Sequence, residues 1–501
     1  MRTLHIEQPP LLFKLNQSLE DPRDGLTLFG PLDPGCPYGI RWAAVGPAGA
    51  RSRLKRWVRA IQLPIVDPKP RLSRPFFPGF EAAFRIPWSP TPVHEVDVPD
   101  VGEQLAVSDR HQRVFGTVDA YAKRIIQAIR EDGVRADVWF VVIPDDVYKY
   151  CRPRSPAPSS SAPATGSIRV SRRSAAEAVT QPFLFAEDRA ASVPFQFEPN
   201  FHNQLKARLL GLDAPTQIVR ESTIAYQEVV GPSGKPLHDY DTIRSSIAWN
   251  LATAAFYKSG GRPWKLASVR EGVCYVGLVF KRDERSADQR TACCAAQMFL
   301  DSGDGVVFKG AVGPWYSDKT RQFHIDRRSA QDLLRIALDS YVRLRREPPR
   351  ELFIHGRTRF DDEEWAGFRS AVGSTTELVG VRLEESFDLK AYGAGEMPVL
   401  RGMAAIRDEQ SGYLWTRGFV PWLRTYPGAE VPNPLLVEIC RGSAPLETVL
   451  RDVLALTKLN YNSCKHSDGL PVTLKFADAV GEVLTAGPVG ETPPLGFAHY
   501  I

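Results

Sequence analysis

Residues Ala136–Ile143 form an almost continuous apolar run that stops at Pro144-Asp145-Asp146. A strand so short and apolar on both sides suits a buried parallel sheet covered by helices on both faces. In such sheets ligands bind beyond the carboxyl ends of the strands, so the residues after Pro144 are the first place to look for a site. The surrounding sequence keeps to the same architecture. Ser108–Glu131 carries apolar residues at helical spacing (Val114, Val118, Tyr121, Ile125, Ile129). Upstream, Tyr38–Val45 reads as a strand ending in Gly46-Pro47 and is followed by the basic helical stretch Ala48–Ile61. Within the proline-rich passage Pro64–Pro92, the aromatic segment Phe76–Trp88 reads as extended.

Composition then shifts. Arg152–Ala164 is dominated by Pro, Ser and Ala, and roughly Pro153–Val193 reads as a flexible insertion with one short helix at Ala175–Val179. Order returns with a helix at Asn200–Leu210, a strand at Thr216–Thr223 and a helix around Tyr240–Ser259. Gly260-Gly261-Arg262-Pro263-Trp264 ends that helix and marks a domain boundary. Beyond it, Gly272–Lys281, Thr291–Asp301 and Gly305–Ala311 read as successive antiparallel strands, with Asp301–Gly305 as a turn. A long amphipathic helix at Ser329–Arg345, a buried strand at Glu351–His355, a helix opened by Asp361-Asp362-Glu363-Glu364 and a strand at Glu377–Leu383 follow. Strand-strand-strand-helix-strand-helix is the order of the ribonuclease H fold.

At 501 residues, 43% hydrophobic and 24% charged, the chain has material for two or more ordinary cores. The net charge of +5 is compatible with a polyanionic partner, although the arginine clusters Arg51–Arg59, Arg169–Arg173 and Arg343–Arg350 each read singly as solvated faces. Seven scattered cysteines with no C-x-x-C pair fit a reducing compartment. Met1–Phe13 has no signal-peptide pattern, and no run approaches the roughly 20 apolar residues of a membrane span. A cytoplasmic protein is the expectation.

Four regions carry a family resemblance. Val142-Ile-Pro-Asp-Asp-Val-Tyr148-Lys149-x-x-Arg152 follows the buried strand, and Pro215-Thr-Gln217-Ile218-Val219 opens another. Asn250 to Trp264, with Tyr257-Lys258 and Gly261, spans a helix and the domain junction. Leu456 to Asn462, Pro471 to Ala477 and Phe497-Ala-His-Tyr500-Ile501 close the chain. In order and spacing these resemble the MID and PIWI domains of prokaryotic Argonautes, and the length resembles the short branch of that family. The resemblance implies an α/β chain with an N-terminal segment (1–32), a Rossmann-like MID domain (33–262) and a ribonuclease H-like PIWI domain (263–501).

A pocket for a nucleic-acid 5′-phosphate needs an aromatic face for the first base and several cationic or amide donors. Tyr148 offers the face, and Lys149, Arg152, Gln217 and Lys258 offer donors. The family pattern is Tyr-x-x-x-Lys, so Arg152 would replace the second lysine, and Lys206 or Gln204 are alternatives because the insertion blurs the register. Phe497–Ile501 is apolar enough to be buried, and a buried terminal carboxylate must be paired. The resemblance implies that the Ile501 carboxylate helps hold Mg²⁺ against the guide phosphates.

Ribonuclease H chemistry needs several carboxylates around two Mg²⁺ ions about 4 Å apart. Where cutting Argonautes carry the first aspartate this chain has Val279, and where they carry the second it has Gly356. Asp283, Asp301, Asp361 and Asp478 lie nearby in sequence. The expectation is a non-cleaving protein. The resemblance further implies a short 5′-phosphorylated guide RNA, a complementary DNA target, and activation of a partner carrying an APAZ domain and a TIR, sirtuin-type or nuclease effector, in prokaryotic defence. Two alternatives stay open: a guide-directed nuclease with a rearranged carboxylate set, and a metabolite-binding α/β protein. The absence of a G-x-G-x-x-G or G-x-x-x-x-G-K-[ST] loop counts against the second.

Overall fold

A computed structural model describes the chain except for residues 70–74, 100, 160–169, 179–182, 213, 232, 239, 269, 283–290, 301–304, 394, 425–429 and 489–494. Its chain-order elements begin with strand β1 (Arg2–His5), β2 (Trp42–Gly46), helix α1 (Ala48–Ala60), β3 (His94–Asp97), α2 (Arg110–Arg130) and β4 (Val138–Ile143). Then come α3 (Asp145–Tyr150), α4 (Phe201–Leu209), β5 (Thr216–Arg220) and α5 (Arg244–Lys258). Strands β2 to β5 form an all-parallel sheet in the order β3-β2-β4-β5. Every residue of β4 is buried, as its two-sided apolar run requires. Alternate residues feed two cores: Phe140 and Val142 pack with Trp42 and Trp88, while Trp139 and Val141 pack with Val114, Tyr121 and Ile125 of α2.

Local chemistry sets the helix starts. Asp109 caps α2 by accepting from the Gln112 N–H, and Asn200 caps α4 by accepting from the His202 N–H. The segment Phe76–Trp88 departs from the extended expectation. Phe80–Phe84 is a short helix closed by Arg85 at a φ of 59°. Phe77, Phe80, Phe84 and Trp88 are all buried, and their spacing of three or four is helical. Strand β5 ends at Arg220 rather than Thr223, because the Ser222 N–H and hydroxyl both donate to the Asp145 carboxylate and turn the chain. Within the expected insertion, Arg172–Glu177 is helical, and Val179 lies outside the described residues.

The second half continues with β6 (Val273–Arg282), β7 (Ala292–Leu300), β8 (Gly305–Gly313), α6 (Arg327–Arg345), β9 (Glu351–Gly356), α7 (Asp362–Ala371) and β10 (Glu377–Glu385). It ends with β11 (Met403–Ile406), β12 (Ser411–Leu414), β13 (Leu435–Arg441), α8 (Leu446–Leu456), α9 (Val472–Lys475), α10 (Ala477–Thr485) and β14 (Leu495–Gly496). The ten-stranded order is β1-β11-β12-β13-β10-β9-β6-β7-β8-β14. Strands β6, β7 and β8 form an antiparallel meander, and β9 lies parallel to both β6 and β10. This is a ribonuclease H-like mixed sheet following a Rossmann-like one. The turn expected at Asp301–Gly305 falls largely outside the described residues, but Phe299 and Gly305 face each other across β7 and β8.

The strands of this sheet also feed two cores. Cys274, Val276 and Leu278 pack under Leu333, Trp365 and Phe368 of α6 and α7, whereas Tyr275 and Phe353 join the core shared with α8, α9 and α10. That shared core also contains Trp42, Phe140 and Trp249 from the first half, so the two sheets are joined by continuous packing. The Trp264 indole donates to the Lys458 carbonyl at 3.1 Å, and the Tyr461 hydroxyl donates to the Trp264 carbonyl at 2.9 Å. The N-terminal segment is also tied to the second half: β1 pairs with β11, and Lys458 Nζ donates to the carbonyls of Pro9 and Glu20 at 2.9 Å each.

Candidate nucleic-acid interface

At the seam between the two sheets, two buried lysines converge. Lys206 lies on the inner face of α4, and Lys258 is the last residue of α5. Lys206 Nζ donates to the main-chain oxygen of Ile501 at 2.7 Å and to the Thr216 carbonyl at 3.4 Å. Lys258 Nζ donates to the same Thr216 carbonyl at 2.9 Å and to Gln217 Oε1 at 2.7 Å. Strand β5 therefore enters the seam with a carbonyl and an amide that bridge the two ammonium groups.

The electrostatics are lopsided. Burial pushes the Lys206 ammonium down to about 7. Burial, and then the charge of Lys206, holds Lys258 well below the usual lysine range. One helical turn before Lys206, desolvation by the surrounding protein and then the charge of that same lysine push the His202 imidazole below the usual histidine range, although the residue keeps an exposed edge. Two cations packed together without an adjacent carboxylate side chain hold a potential that an anion would relieve.

Tyr148 and Arg152 sit on the rim instead. The Arg152 guanidinium lies 4.7 Å from the Tyr148 ring centre and that of Arg220 lies 4.4 Å from it, while Arg152 Nη1 donates to the Tyr148 hydroxyl at 3.0 Å. Tyr148 and these two arginines line a cavity of 400 Å³ together with His202, Asn203 and Ile218. Lys149 points away, its ammonium 4.7 Å from the Tyr150 ring, and lines a neighbouring open cleft with Tyr148 and Arg152.

Of the residues singled out by sequence, the structure brings Gln217, Lys258 and Ile501 together through Lys206. It gathers Tyr148 and Arg152 around Arg220 and leaves Lys149 apart from both groups. The aromatic-x-x-x-lysine spacing is also met on α4 by His202-x-x-x-Lys206. Gln204 is turned elsewhere, its amide donating to the Glu198 carbonyl at 3.0 Å. Arg220 and His202 were not singled out, since nothing local in sequence marks a guanidinium that will cover a ring from another element.

The chain end is packed: Phe497, Tyr500 and Ile501 are buried, and Phe497 meets Phe299 and Phe476 edge-on. The expectation of Mg²⁺ at Ile501 meets a different arrangement. Ile501 O and Gln217 Oε1 each already accept from an ammonium group at 2.7 Å. Those two oxygens fit a divalent cation poorly, because it would have to sit against the two lysine side chains that already donate to them.

The ribonuclease H position lies where β6 and β9 run side by side, with His355 opposite Gly277. A Cβ on Gly277 would fall 2.0 Å from the Thr473 carbonyl, so α9 docks where only glycine leaves room. His355 Nδ1 lies 2.9 Å from Thr473 Oγ1, and burial pushes the imidazole down to about 3, leaving it neutral. Gly356 ends β9, and the next residue, Arg357, pairs with Asp478 at 2.9 Å. Lys281 pairs with Glu482 at 3.1 Å. The backbone of Val279 pairs with Ala295 within the sheet. Asp283 and Asp301 lie outside the described residues, and Asp361 caps α7 on the other face of the sheet.

No family model matches the chain, and no curated protein matches it in sequence. Solved structures do. Clostridium butyricum Argonaute bound to a guide DNA and a 19-mer target DNA matches with a TM-score of 0.62 at 16% identity, over 98% of this chain and 53% of that one. Drosophila Piwi matches with a TM-score of 0.59 at 14% identity, over 100% and 56%. A. aeolicus Argonaute matches with a TM-score of 0.53 at 13% identity, over 98% and 53%. The chain spans about half the length of these proteins, and its fold is that of the MID and PIWI domains of Argonaute and Piwi proteins.

Proposed function

We propose that this chain holds a short guide nucleic acid by its 5′-phosphate and uses it to recognise a complementary strand without cutting it. The observation that supports this best is the pair of buried, charge-depressed lysines sharing the Thr216 carbonyl. A phosphate entering beside Gln217 would bring further negative charge to the pair and draw charge-assisted hydrogen bonds from both. His202, Lys206, Gln217 and Lys258 would hold the end group, and Ile501 would orient Lys206. Tyr148, flanked by Arg152 and Arg220, would take the first base once one guanidinium swings aside. In the C. butyricum protein the guide and the target are both DNA. For this chain we propose an RNA guide and a DNA target, with base pairing carrying sequence and the protein reading backbone shape.

The non-cleaving part rests on the neutral His355 and Gly356 beside Gly277, and on Asp478 and Glu482 being paired with Arg357 and Lys281. A sensor without its own chemistry needs an output, which we assign to a separate APAZ-effector subunit in prokaryotic defence.

The test is to purify the protein, label the 5′ ends of any nucleic acid it carries, and measure binding of 5′-phosphorylated and 5′-hydroxyl RNA and DNA. Preference for the 5′-phosphorylated strands and guide-dependent capture of a complementary strand are expected. Equal binding of both end groups would sink the proposal, and guide-directed cleavage would move the protein to the nuclease class.

A further inference from the structure

The helix-covered face of the large sheet carries a cluster of ligating side chains that the guide site does not use. His324 follows the short hairpin Tyr316–Ser317/Gln322–Phe323 and precedes α6, while Asp361 and Glu364 occupy the N-cap and first turn of α7. One ligand atom from each of the three lies within 4.8 Å of the other two. His324 Nδ1 is 3.3 Å from Glu364 Oε2 and 3.8 Å from Asp361 Oδ2. A metal bonded at about 2.0–2.2 Å to nitrogen and oxygen ligands sets neighbouring ligand atoms roughly 3–4 Å apart, so little rearrangement is needed.

Three further features point to a cation. Glu364 is 1% exposed, and its Oε1 makes no well-aligned hydrogen bond among the described residues, the carboxylate meeting only His324 and the Ile325 N–H. A buried carboxylate with so few donors is costly, and coordination is one of the few ways to satisfy it. Asp361 Oδ1 accepts from the Glu364 N–H at 2.8 Å, which fixes the carboxylate and leaves Oδ2 facing His324. On the far side of the ring, His324 Nε2 is 3.3 Å from Gln322 Oε1. Nε2 donating to that amide oxygen would leave Nδ1 free to ligate a metal held between the two carboxylates. Such an outer hydrogen bond fixes the tautomer of a metal-bound histidine.

We propose that His324, Asp361 and Glu364 form a binding site for a divalent first-row transition ion, Zn²⁺ or Mn²⁺ rather than Mg²⁺. One imidazole and two carboxylates suit those ions, whereas Mg²⁺ prefers oxygen alone and keeps its water. The site lies across the sheet from His355 and Thr473. Its neighbours Ile325 and Trp365 belong to the core under α6 and α7, whereas Val472 and Leu474 belong to the other core. It is therefore separate from the ribonuclease H position. A bound ion would tie the loop before α6 to the start of α7.

The test uses the guide-free full chain, so its outcome is independent of guide binding. Chelator-treated protein is titrated with Zn²⁺, Mn²⁺ and Mg²⁺ by calorimetry, with thermal melting in parallel. One equivalent of Zn²⁺ or Mn²⁺ binding at least tenfold more tightly than Mg²⁺, with a rise in Tm, is expected. Glu364→Gln and Asp361→Asn should each weaken Zn²⁺ binding tenfold or more and abolish the rise. Asp361→Asn keeps the capping oxygen on a half-exposed residue and so serves if the buried variant folds poorly. Zn²⁺ binding unchanged in Asp361→Asn, or no binding in the parent protein, overturns the proposal.

Discussion

Lys206 and Lys258, from different helices, donate to one and the same acceptor, the Thr216 carbonyl, at 3.4 and 2.9 Å. Two buried lysines sharing one neutral oxygen leave their charged forms poorly compensated, a deficit that a doubly charged phosphate relieves. The first prediction follows from their proton balance. In the free protein Lys206 titrates near 7 and Lys258 below its usual range. A bound anion favours the charged forms, so binding takes up protons and affinity falls as pH rises. Between pH 7.5 and 9, where the phosphate is already fully ionised, each proton taken up costs about tenfold in affinity per pH unit. Binding of 5′-phosphorylated and 5′-hydroxyl guides across that range checks this; a flat profile for the phosphorylated strand means the lysines never recharge.

Replacement of Lys258 by methionine separates binding from folding. An apolar side chain of similar length removes a buried, poorly compensated cation, so Tm should hold or rise. The 5′-phosphorylated guide should lose roughly 1.5–3 kcal/mol, the worth of a hydrogen bond to a charged group, while the 5′-hydroxyl guide is largely spared. A drop in Tm with equal weakening of both guides would assign Lys258 a purely structural role.

Much of this architecture was legible locally. The run Ala136–Ile143 announces a two-sided strand, and the residues Val114 to Ile129 announce α2, because periodicity is a property of neighbouring residues. The membership of the site was legible only in part. Gln217 and Lys258 were found, but Lys206 was one alternative among several, because the 153–193 insertion separates α3 from α4 and hides which of two aromatic-x-x-x-cation patterns faces the seam. Arg220 over Tyr148 and His324 beside Glu364 are products of tertiary closure. The helix at Phe80–Phe84 could have been read from the spacing of Phe77, Phe80, Phe84 and Trp88, had the prolines around it not suggested an extended chain.

Adding residues after Ile501 should weaken guide binding. Lys206 donates its shortest hydrogen bond, 2.7 Å, to Ile501 O, and the tail that delivers this oxygen is anchored by Tyr500 and Phe497 in the core. Affinity should change little between Mg²⁺ and EDTA, because ammonium groups already hold the oxygens a cation would need. A glycine-serine extension with unchanged affinity would show the tail to be a bystander, and a large loss in EDTA would restore Mg²⁺ to the site.

The guided protein should leave a labelled complementary strand intact in Mg²⁺ or Mn²⁺, and Val279→Asp alone should not change that. A two-metal site requires several ligands in one geometry. Along β6 and β9 a new aspartate at 279 would lie two residues beyond Gly277, whose partner His355 is buried, neutral and 2.9 Å from Thr473 Oγ1. Gly356 supplies no side chain, and Asp478 is held by Arg357 at 2.9 Å. One carboxylate would thus meet an uncharged floor and a carboxylate already paired with arginine. The double substitution Val279→Asp with Gly356→Asp is the stricter trial, and it too faces a cost. A Cβ at 356 would come within 3.1 Å of the Phe360 ring, so α7 or that ring must shift before a second aspartate fits. Product whose length follows the guide from Val279→Asp alone would mean that other acidic residues, Asp478 and Glu482 first among them, leave their cations to ligate metal. Mutating either would then abolish the cleavage.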